Sequence, residues 1–486
     1  NNKKSILTGR KKIDKLKIET DYKDLNFENK LGTFNNELNE FWIKENNENI
    51  TPVAWANIMA NKNFGTVVTN QMGGYTWYIN SRTNRITKFE NDAYEDYSPE
   101  EIVLEGIEQE NEKYVCYGFG YSRFISLGED IQQNITIFIP VDDNAKVSVI
   151  RLTNNNKEKK KLKIRYNIDW LLGEKKEKSI ISTKYKKNLN TIFIKNNINP
   201  NYYCYVTSNE PINENYEIQV TLNPNETKDI ILVLGAEKTE MECVNIGTKF
   251  TNKYQTEFEE TKNYWSQVVQ KVTANTPMKS FNAMQNGYLV YQSIVSRMIA
   301  KTGFYQSSGG YGYRDQLQDA LGMKWVDTEI LRNQILLNAA HQFYEGDVEH
   351  WWHEDTQLGI RTRCSDDMLF LVYAVEEYID FTGDYNILDE IASYIDAHEL
   401  NENEKDRVDF YTKTSKEGTI FEHCLKAIKI ACNFGEHGLP LIKNNDWNDG
   451  MDNIGTKGKG ESVWLGFFLY NILNRFIELI DYQKSH

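Results

Sequence analysis

The sequence predicts two structural classes in succession, an N-terminal antiparallel β-sandwich and, after linker helices, an (α/α) toroid. Two observations carry this prediction. Up to about residue 240, apolar and polar residues alternate as in half-buried strands. From Asn252 onward, apolar residues recur with a helical period, and loops rich in His, Trp, Arg and Asp join the apolar segments. The 486 residues suffice for two or three domains.

The strand pattern is clearest at residues 162–170, where Leu, Ile, Tyr, Ile and Trp alternate with Lys, Arg, Asn and Asp. A Gly73-Gly74 pair between residues 66–68 and 75–78 predicts a hairpin. Further strands are predicted at 135–139, 147–152, 191–194, 216–222 and 230–234. Many short strands with polar turns between them are typical of an antiparallel sandwich.

Helices follow in the second half of the chain. The apolar run 368–375 predicts a helix that is buried on most sides, and residues 252–272 predict a connector between domains. The full set of predicted helices is 252–272, 277–300, 327–343, 366–381, 387–397, 420–432 and 463–482. The domain boundaries are predicted as 1–30 (N-terminal extension), 31–245 (sandwich), 246–276 (linker helix) and 277–486 (first part of the toroid).

Composition narrows the classes of function. A net charge of −14 argues against nucleic acid as a partner, because phosphate contacts require a basic face. Six cysteines without a Cys-x-x-Cys pair fit a reducing, cytoplasmic compartment. We see no signal peptide and no apolar run long enough to span a bilayer. The 10 Trp, 29 Tyr and 22 Phe serve core packing first, but their faces also stack on sugar rings.

The densest polar loop of the second half is Leu439–Gly450, in which Asp446 and Asp449 flank Trp447. Glycoside cleavage needs a carboxylic acid that protonates the leaving oxygen, and a nearby Trp offers both a platform for sugar and an apolar wall. The alternative is structural, an Asx-turn or a helix cap. Residue types alone leave both interpretations open.

A second polar cluster is Gly309–Asp319, where glycines precede a polar run that enters a helix. Arg314 and Asp315 can bind sugar hydroxyls as donor and acceptor. The alternative is an Arg–Asp pair that holds two helices together.

The third cluster runs from His350 to Glu354 and includes Trp352, for which a sugar-facing and a structural role are both open. Histidines three apart on a helix could share a metal ion, but no third ligand is spaced to join His350 and His353, and we predict no metal. Signatures of phosphate-binding loops, nucleophile elbows and dinucleotide sites are missing from the sequence.

These clusters, in this order behind a sandwich, resemble glycoside hydrolase family 94, which includes cellobiose, chitobiose and 1,2-β-oligoglucan phosphorylases and the C-terminal domain of cyclic β-1,2-glucan synthases. The resemblance extends over nearly the whole chain from about residue 50. The matching segments are Thr51-Pro52, Trp55, Phe64-Gly65, 74–77, 80–84, 118–124 and 346–352. It implies a β-sandwich, linker helices and a six-hairpin (α/α) toroid, which would be incomplete in a chain that stops at His486.

The resemblance also implies roles for individual residues. Asp449 matches the general acid, and Trp447 and Asp315 match positions around the non-reducing-end sugar. Arg297 matches a phosphate-contacting arginine with a spacing that is off by one residue. The predicted substrate-binding set is Asp315, Arg314, Trp447, Asp446 and Trp352. Lys443 and Asn445 stand where family members commonly have glycine; Asn tolerates left-handed backbone angles better than most residues.

The function that follows from the resemblance is that of an inverting phosphorylase of a β-linked glucan, with β-1,2-oligoglucan as the expected substrate. Phosphate replaces the second carboxylate of a hydrolase, and no cofactor is expected besides this co-substrate. The expected partners are oligosaccharide and phosphate, with a homodimer and, for a glucan synthase, a membrane-bound parent protein as further implications. The alternatives are an inverting hydrolase and a truncated, non-catalytic carbohydrate-binding remnant.

Overall fold

The structure, a computed structural model, describes residues 31–35, 38–46, 50–90, 98–107, 112–401 and 404–485. The chain divides into two compact units, Asn1–Gly309 and Gly310–His486, which we call the sandwich unit and the helical unit. The predicted N-terminal extension, residues 1–30, lies outside the described residues. The other predicted domain boundaries stay predictions.

Short antiparallel strands make up most of the sandwich unit. They are β1 (Gly32–Asn35), β2 (Glu40–Asn46), β3 (Ala56–Ala60), β4 (Phe64–Thr69), β5 (Gly74–Tyr78), β6 (Arg85–Thr87), β7 (Glu100–Glu105), β8 (Glu112–Tyr117), β9 (Tyr121–Leu127), β10 (Ile131–Phe138), β11 (Ala145–Asn154), β12 (Lys160–Ile168), β13 (Trp170–Gly173), β14 (Ile181–Lys186), β15 (Thr191–Asn196), β16 (Tyr203–Ser208), β17 (Glu217–Leu222) and β18 (Thr227–Glu237).

One large sheet has its two faces covered by different partners. Its ten strands follow the order β1-β2-β8-β9-β10-β11-β18-β16-β15-β14, and a three-stranded sheet (β17-β12-β7) and a five-stranded sheet (β13-β6-β5-β4-β3) complete the unit. Ile135 and Ile150 point into the main core with residues of the smaller sheets, such as Phe64 and Ile164. On the opposite face, side chains such as Val149 pack in a second cluster with residues of the following helix. The predicted antiparallel sandwich is confirmed.

The predicted hairpin at Gly73-Gly74 is present as β4 and β5, with Val68 opposite Gly74. Gly74 has a φ of +106°, and a Cβ there would lie 2.1 Å from the backbone oxygen of Val67. Only glycine satisfies both conditions. The turn therefore fixes the register of this hairpin through one residue.

The connector helix α1 (Glu240–Val269) begins twelve residues earlier than the period change predicts. A capping box starts it, because the Thr239 side chain accepts from the Glu242 backbone N–H while the Glu242 side chain accepts from the Thr239 backbone. The backbone leaves helical geometry at Lys253 (φ −136°, ψ 26°), close to where the prediction placed the start. A kink separates the two halves of this helix.

The predicted helix at 277–300 is mostly wider than an α-helix. It consists of α2 (Lys279–Ala283), a π-helical segment (Met284–Tyr288), α3 (Leu289–Gln292) and a second π-helical segment (Ser293–Ile299). Such segments are rare and occur often near functional sites. The hydrophobic period alone does not distinguish them from a regular helix.

The helical unit contains α4 (Tyr313–Met323), α5 (Thr328–Ala339), α6 (Asp367–Thr382), α7 (Ile420–Ala431) and α8 (Val463–Ser485). Its strands are β19 (Tyr311–Gly312), β20 (Glu349–His353), β21 (Leu358–Thr362), β22 (Ile391–Ile395), β23 (Asp406–Phe410) and β24 (Lys413–Thr419). Helix α6 is central and contacts α4, α5, α7 and α8, as its apolar run predicted. The fold is a sheet-rich domain followed by a helical domain; that the toroid is incomplete stays a prediction.

One predicted helix is wrong, and the helical spacing considered for two histidines is not observed. Residues 387–397 form a 3₁₀ turn (Tyr385–Asp389) followed by β22, which pairs with β24. His350 and His353 lie on strand β20. They therefore lack the helical spacing for which a shared metal ion was considered. In both segments, pairing with another strand decides the structure.

Helix α8 buries one stripe and exposes another. Leu465, Leu469, Ile472 and Phe476 of the predicted stripe are buried. By length and composition alone this helix could also cross a membrane, although 28% of its most apolar window is buried in the structure. The prediction that no apolar run has this length is therefore wrong. Its exposed apolar residues are Val463, Trp464, Phe467, Tyr470 and Ile477.

Candidate active site

The loop that carries the predicted acid is anchored to α8 by Asp446. This residue is buried; its Oδ2 accepts from the Ser462 hydroxyl at 2.6 Å and its Oδ1 from the Asn448 backbone N–H at 3.0 Å. The Ser462 Oγ accepts from the Leu465 backbone N–H at 3.0 Å, which caps the first turn of α8. These contacts give Asp446 the structural role of an Asx-turn, and its predicted contact with substrate stays a prediction.

Asp449 follows in a single 3₁₀ turn, and its side chain is 59% exposed. Its Oδ1 accepts two hydrogen bonds, from Arg314 Nη2 at 2.7 Å and from Asn445 Nδ2 at 2.8 Å. Within the described part of the chain, Oδ2 has no hydrogen-bond donor. One oxygen is therefore held in place, and the other is available to a ligand.

Arg314 lies on the first turn of α4 and is only 5% exposed. Besides Asp449, it donates from Nη1 to both carboxylate oxygens of Asp366, at 3.1 and 3.2 Å, and to the Asp446 carbonyl at 3.3 Å. Burial lowers the pKa of Arg314, but the carboxylates of Asp367 and Asp366 raise it above its ordinary value. The predicted alternative of an Arg–Asp pair between two helices is thus observed, and the same side chain also reaches the predicted acid.

Behind Arg314, a second ion pair lies at the start of α6. His350 Nδ1 is 2.7 Å from Asp367 Oδ2. Burial lowers the pKa of His350, but the charge and hydrogen bond of Asp367 raise it to about 9. Burial together with the charge of Asp367 raises the pKa of Asp366. The site therefore contains a buried guanidinium that contacts both Asp366 and Asp367, and a half-buried imidazole that pairs with Asp367.

The exposed side of α4 lies beside Trp447. The Trp447 indole is 52% exposed and donates from Nε1 to Gln318 Oε1 at 3.3 Å. Asp315, one turn before Gln318, is also exposed. A Cβ on Gly312 would lie 2.4 Å from the Asp315 carboxylate, so glycine leaves room for this side chain. We did not predict Gln318, although its spacing of three from Asp315 on a helix was visible in the sequence.

Comparison with known proteins decides the family. A family described as "Glycosyl hydrolase 94 superfamily, catalytic domain" matches residues 264–486, and one described as "Glycosyl hydrolase 94, supersandwich domain" matches residues 39–217. The chain belongs to the glycosyl hydrolase 94 superfamily. The resemblance inferred from the motifs is confirmed.

Three relatives place the chain within this superfamily. It is 29% identical to the cyclic beta-(1,2)-glucan synthase NdvB of Rhizobium meliloti (strain 1021), over 96% of this chain and 19% of that protein. It is 21% identical to N,N'-diacetylchitobiose phosphorylase of Vibrio furnissii, over 94% of this chain and 65% of that protein. It is 30% identical to solabiose phosphorylase of Paenibacillus borealis, over 44% of this chain and 24% of that protein. The chain thus spans less than two thirds of the length of each of these glycosyl hydrolase 94 relatives.

Trp352 is 1% exposed in this glycosyl hydrolase 94 chain. Its ring is stacked on His341 with centroids 4.0 Å apart and on Tyr311 at 5.1 Å. These neighbours occupy the surface on which a sugar would stack, so the contacts favour a packing role. The predicted contact of Trp352 with sugar stays a prediction.

The loop departs from the expected glycines in a specific way. Lys443 has a φ of +53°, in the left-handed region, whereas Asn445 is not among the residues with positive φ. A non-glycine residue in this region costs about 1–2 kcal/mol. Lys443, rather than Asn445, therefore adopts the left-handed backbone conformation that glycine takes most easily.

Arg297, the predicted phosphate contact, belongs to the sandwich unit and lies in its second π-helical segment. Its role stays a prediction.

One group of side chains in the helical unit has a spacing compatible with a metal ion. The ligand atoms of His350, Cys364 and Asp367 lie within 4.8 Å of one another. However, Arg314 Nη1 is 3.6 Å from Asp367 and 3.9 Å from the Cys364 sulfur. A fixed guanidinium charge at this distance disfavours a second cation, and burial raises the pKa of the Cys364 thiol. The ion-pair interpretation explains this group, and the predicted lack of a metal stays a prediction.

Proposed function

We propose that the chain is part of an inverting glycoside phosphorylase that acts on a β-linked glucan, with Asp449 as the general acid and inorganic phosphate as the co-substrate. The observation that carries the proposal is the asymmetric environment of Asp449. Two donors hold Oδ1, while Oδ2 faces no donor within the described residues. A general acid needs this arrangement, because its orientation has to be fixed without blocking the oxygen that donates.

The neighbouring surface suits a sugar. The exposed indole of Trp447 offers a flat apolar face, and Asp315 and Gln318 offer acceptors and a donor on the adjacent helix. Sugars combine apolar C–H faces with hydroxyl groups that donate and accept, so such a mixed surface favours them. The β-1,2 linkage is proposed from the name of the glucan synthase relative.

In the proposed reaction, a phosphate oxygen attacks the anomeric carbon from the face opposite the leaving sugar. The bond between the anomeric carbon and the glycosidic oxygen breaks, and Asp449 transfers its proton to the departing oxygen. The products are an α-sugar-1-phosphate and a shortened glucan. An inverting hydrolase needs a second carboxylate that activates water. Besides Asp449, Arg314 contacts Asp366 and Asp367, and both of these carboxylates are buried and held in ion pairs.

The test is release of glucose-1-phosphate from a β-1,2-linked gluco-oligosaccharide, measured with and without inorganic phosphate. We expect release to require phosphate and the product to be the α-anomer by NMR. Asp449→Asn should lower the rate about 10²- to 10⁴-fold, the usual contribution of a general acid. The matched control is Asp452→Asn, because Asp452 lies three residues after Asp449 and, within the described residues, its half-buried carboxylate contacts only Lys405 and Asn453.

Two outcomes would contradict the proposal. Equal release of reducing sugar without phosphate would favour the inverting hydrolase. Oligosaccharide binding without turnover under any condition would favour the non-catalytic carbohydrate-binding remnant. Cofactor independence, a homodimer, a membrane-bound parent protein and a cytoplasmic location stay predictions.

A further inference from the structure

A pocket of about 290 Å³ opens on the outer face of the large sheet, beside α1 and within the sandwich unit. We call it the strand–helix pocket. Its floor is formed by side chains of β9, β10 and β11, and one wall by the second half of α1. The residues that the argument uses are Arg123, Asn134, Thr136, Arg151, Phe258 and Lys262.

The strand register explains why these side chains share one face. Arg123 lies opposite Thr136 on β10, and Thr136 lies opposite Val149 on β11. Two residues further along, Asn134 lies opposite Arg151. Side chains two apart on a strand point to the same side of a sheet, so Arg123 and Asn134 are diagonal neighbours on the pocket floor.

Two buried polar atoms in this floor have no hydrogen-bond partner within the described residues. They are the Arg123 Nε, a donor, and the Asn134 Oδ1, an acceptor. A buried polar atom that is left without a hydrogen-bond partner destabilises the folded chain. This pocket contains both an unpaired donor and an unpaired acceptor. Together they indicate a ligand that accepts a hydrogen bond from Arg123 Nε and donates one to Asn134 Oδ1.

The charges around the pocket are already balanced. Arg123 Nη2 donates to Glu40 at 2.5 Å, Arg151 forms two hydrogen bonds with Asp229 at 2.8 and 2.9 Å, and Lys262 pairs with Glu259 at 2.7 Å. An anionic ligand would have to compete with these carboxylates, and a cation with the three basic groups. The balance favours a neutral ligand whose hydroxyl groups both donate and accept.

The remaining surface is partly apolar. The Phe258 ring lies edge-on to Tyr121, with centroids 5.1 Å apart, and Leu38 and Val149 also line the pocket. A volume of 290 Å³ is at the lower end of the roughly 300–1,000 Å³ that small-molecule sites occupy. This size and this mixture of groups match a single sugar ring rather than a long chain.

We propose that the strand–helix pocket is a second carbohydrate site, separate from the Asp449 loop, that binds one residue of a neutral oligosaccharide. Arg123 Nε donates to one sugar hydroxyl, and Asn134 Oδ1 accepts from a neighbouring one. The choice of a glucan as the ligand rests on the proposed function, whereas the neutral, hydroxyl-bearing chemistry rests on the pocket alone. Such a site would hold a polymeric substrate on the sandwich while its end is processed elsewhere.

The test is calorimetric titration of the full chain with sophorose, the β-1,2-linked disaccharide of glucose. We expect two binding sites per chain. Asn134→Leu should remove one of them or weaken it at least tenfold, and Trp447→Ala should affect the other. Leucine has nearly the shape of asparagine and removes an unpaired acceptor, so the melting temperature of Asn134→Leu should be unchanged or higher.

Two further variants make the outcome decisive. Thr136→Val removes a hydroxyl group from the floor, keeps the side-chain shape and should also weaken this site. Gln219→Leu makes a comparable change at an exposed position of β17 and should leave both sites intact. Unchanged affinity and stoichiometry in both Asn134→Leu and Thr136→Val would overturn the inference. If the chain shows no phosphorolysis but these variants still lose one sophorose site, the inference is supported and the proposed function fails.

Discussion

At the residue scale, the orientation of one carboxylate depends on two donors from different parts of the chain. Arg314 comes from α4 and Asn445 from the same loop as Asp449. Arg314 is in turn held by Asp366 at the start of α6. The acid is therefore oriented by side chains up to 135 positions away in the sequence, and positioning of this kind affects the rate more than binding.

This arrangement predicts the effect of removing the smaller donor. Asn445→Ala should lower the rate of phosphorolysis about fivefold with little change in KM, because a hydrogen bond worth about 1 kcal/mol is lost at the acid and not at the substrate. Initial rates over a range of oligosaccharide concentrations measure this. Asn453→Ala is the control, since in the described part of the chain the Asn453 side chain bonds only to Asp452. A change in KM alone would show that Asn445 contacts substrate instead.

At the element scale, α6 combines an apolar core helix with a buried acid. Glu376 is 2% exposed, and both its carboxylate oxygens lack a hydrogen bond within the described residues. Its nearest cation is Arg475, at 3.7 Å. Burial raises the pKa of Glu376 from 4.5 to about 8. The neutral form is therefore the one that the folded helix tolerates.

The sign of the pH dependence follows from this. The folded pKa lies above the unfolded one, so the contribution of Glu376 to stability is complete below pH 4.5 and is lost as the pH rises through 8. Glu376→Gln should raise the melting temperature relative to the unmodified chain by about 4 °C or more at pH 8.5, and by less at pH 5. Glu377→Gln is the control, because Lys324 and Arg475 lower the pKa of Glu377 against the effect of burial. An equal difference at both pH values would contradict the prediction.

The exposed stripe of α8 permits a second prediction at this scale. Val463, Phe467, Tyr470 and Ile477 are more than half exposed and lie on one side of the helix. Contiguous exposed apolar residues favour association. Phe467→Glu should reduce self-association in light scattering while the melting temperature changes little, since Phe467 is 74% exposed. Unchanged scattering would show that this stripe does not drive association.

At the whole-molecule scale, each unit contains buried groups whose pKa shifts predict a different pH dependence of stability. In the sandwich unit, buried Glu100 pairs with Lys146 at 2.7 Å, and this pair with its hydrogen bonds lowers the pKa of Glu100 against the effect of burial. The contribution of Glu100 to stability is therefore lost only in acid. In the helical unit, the raised pKa values of His350 (about 9) and Glu349 (about 8) mean that stability is lost in alkali.

Differential scanning calorimetry tests this contrast. We expect two transitions, one that weakens as the pH falls below 4 and one that weakens between pH 6.5 and 9. Glu100→Gln should perturb only the first, and His350→Gln should flatten the alkaline dependence of the second. A single transition with one pH profile would show that the units unfold together and would contradict the prediction.

The sequence by itself determined the order of the two structural classes, the hairpin at Gly74 and the burial of α6. It also placed Asp449 and Trp447 in one loop and identified the family from its motifs. These features depend on local period, on turn chemistry or on short contiguous runs, all of which a linear sequence displays.

Only the tertiary structure decided that His350 is on a strand and that Trp352 is buried between two rings. The same holds for the two bonds to Asp449 Oδ1 and for the strand–helix pocket, whose floor joins three strands. The physical reason is that burial, ion pairing and strand register are set by residues distant in sequence. Whether a side chain binds a ligand, positions another residue or packs in the core depends on these distant partners.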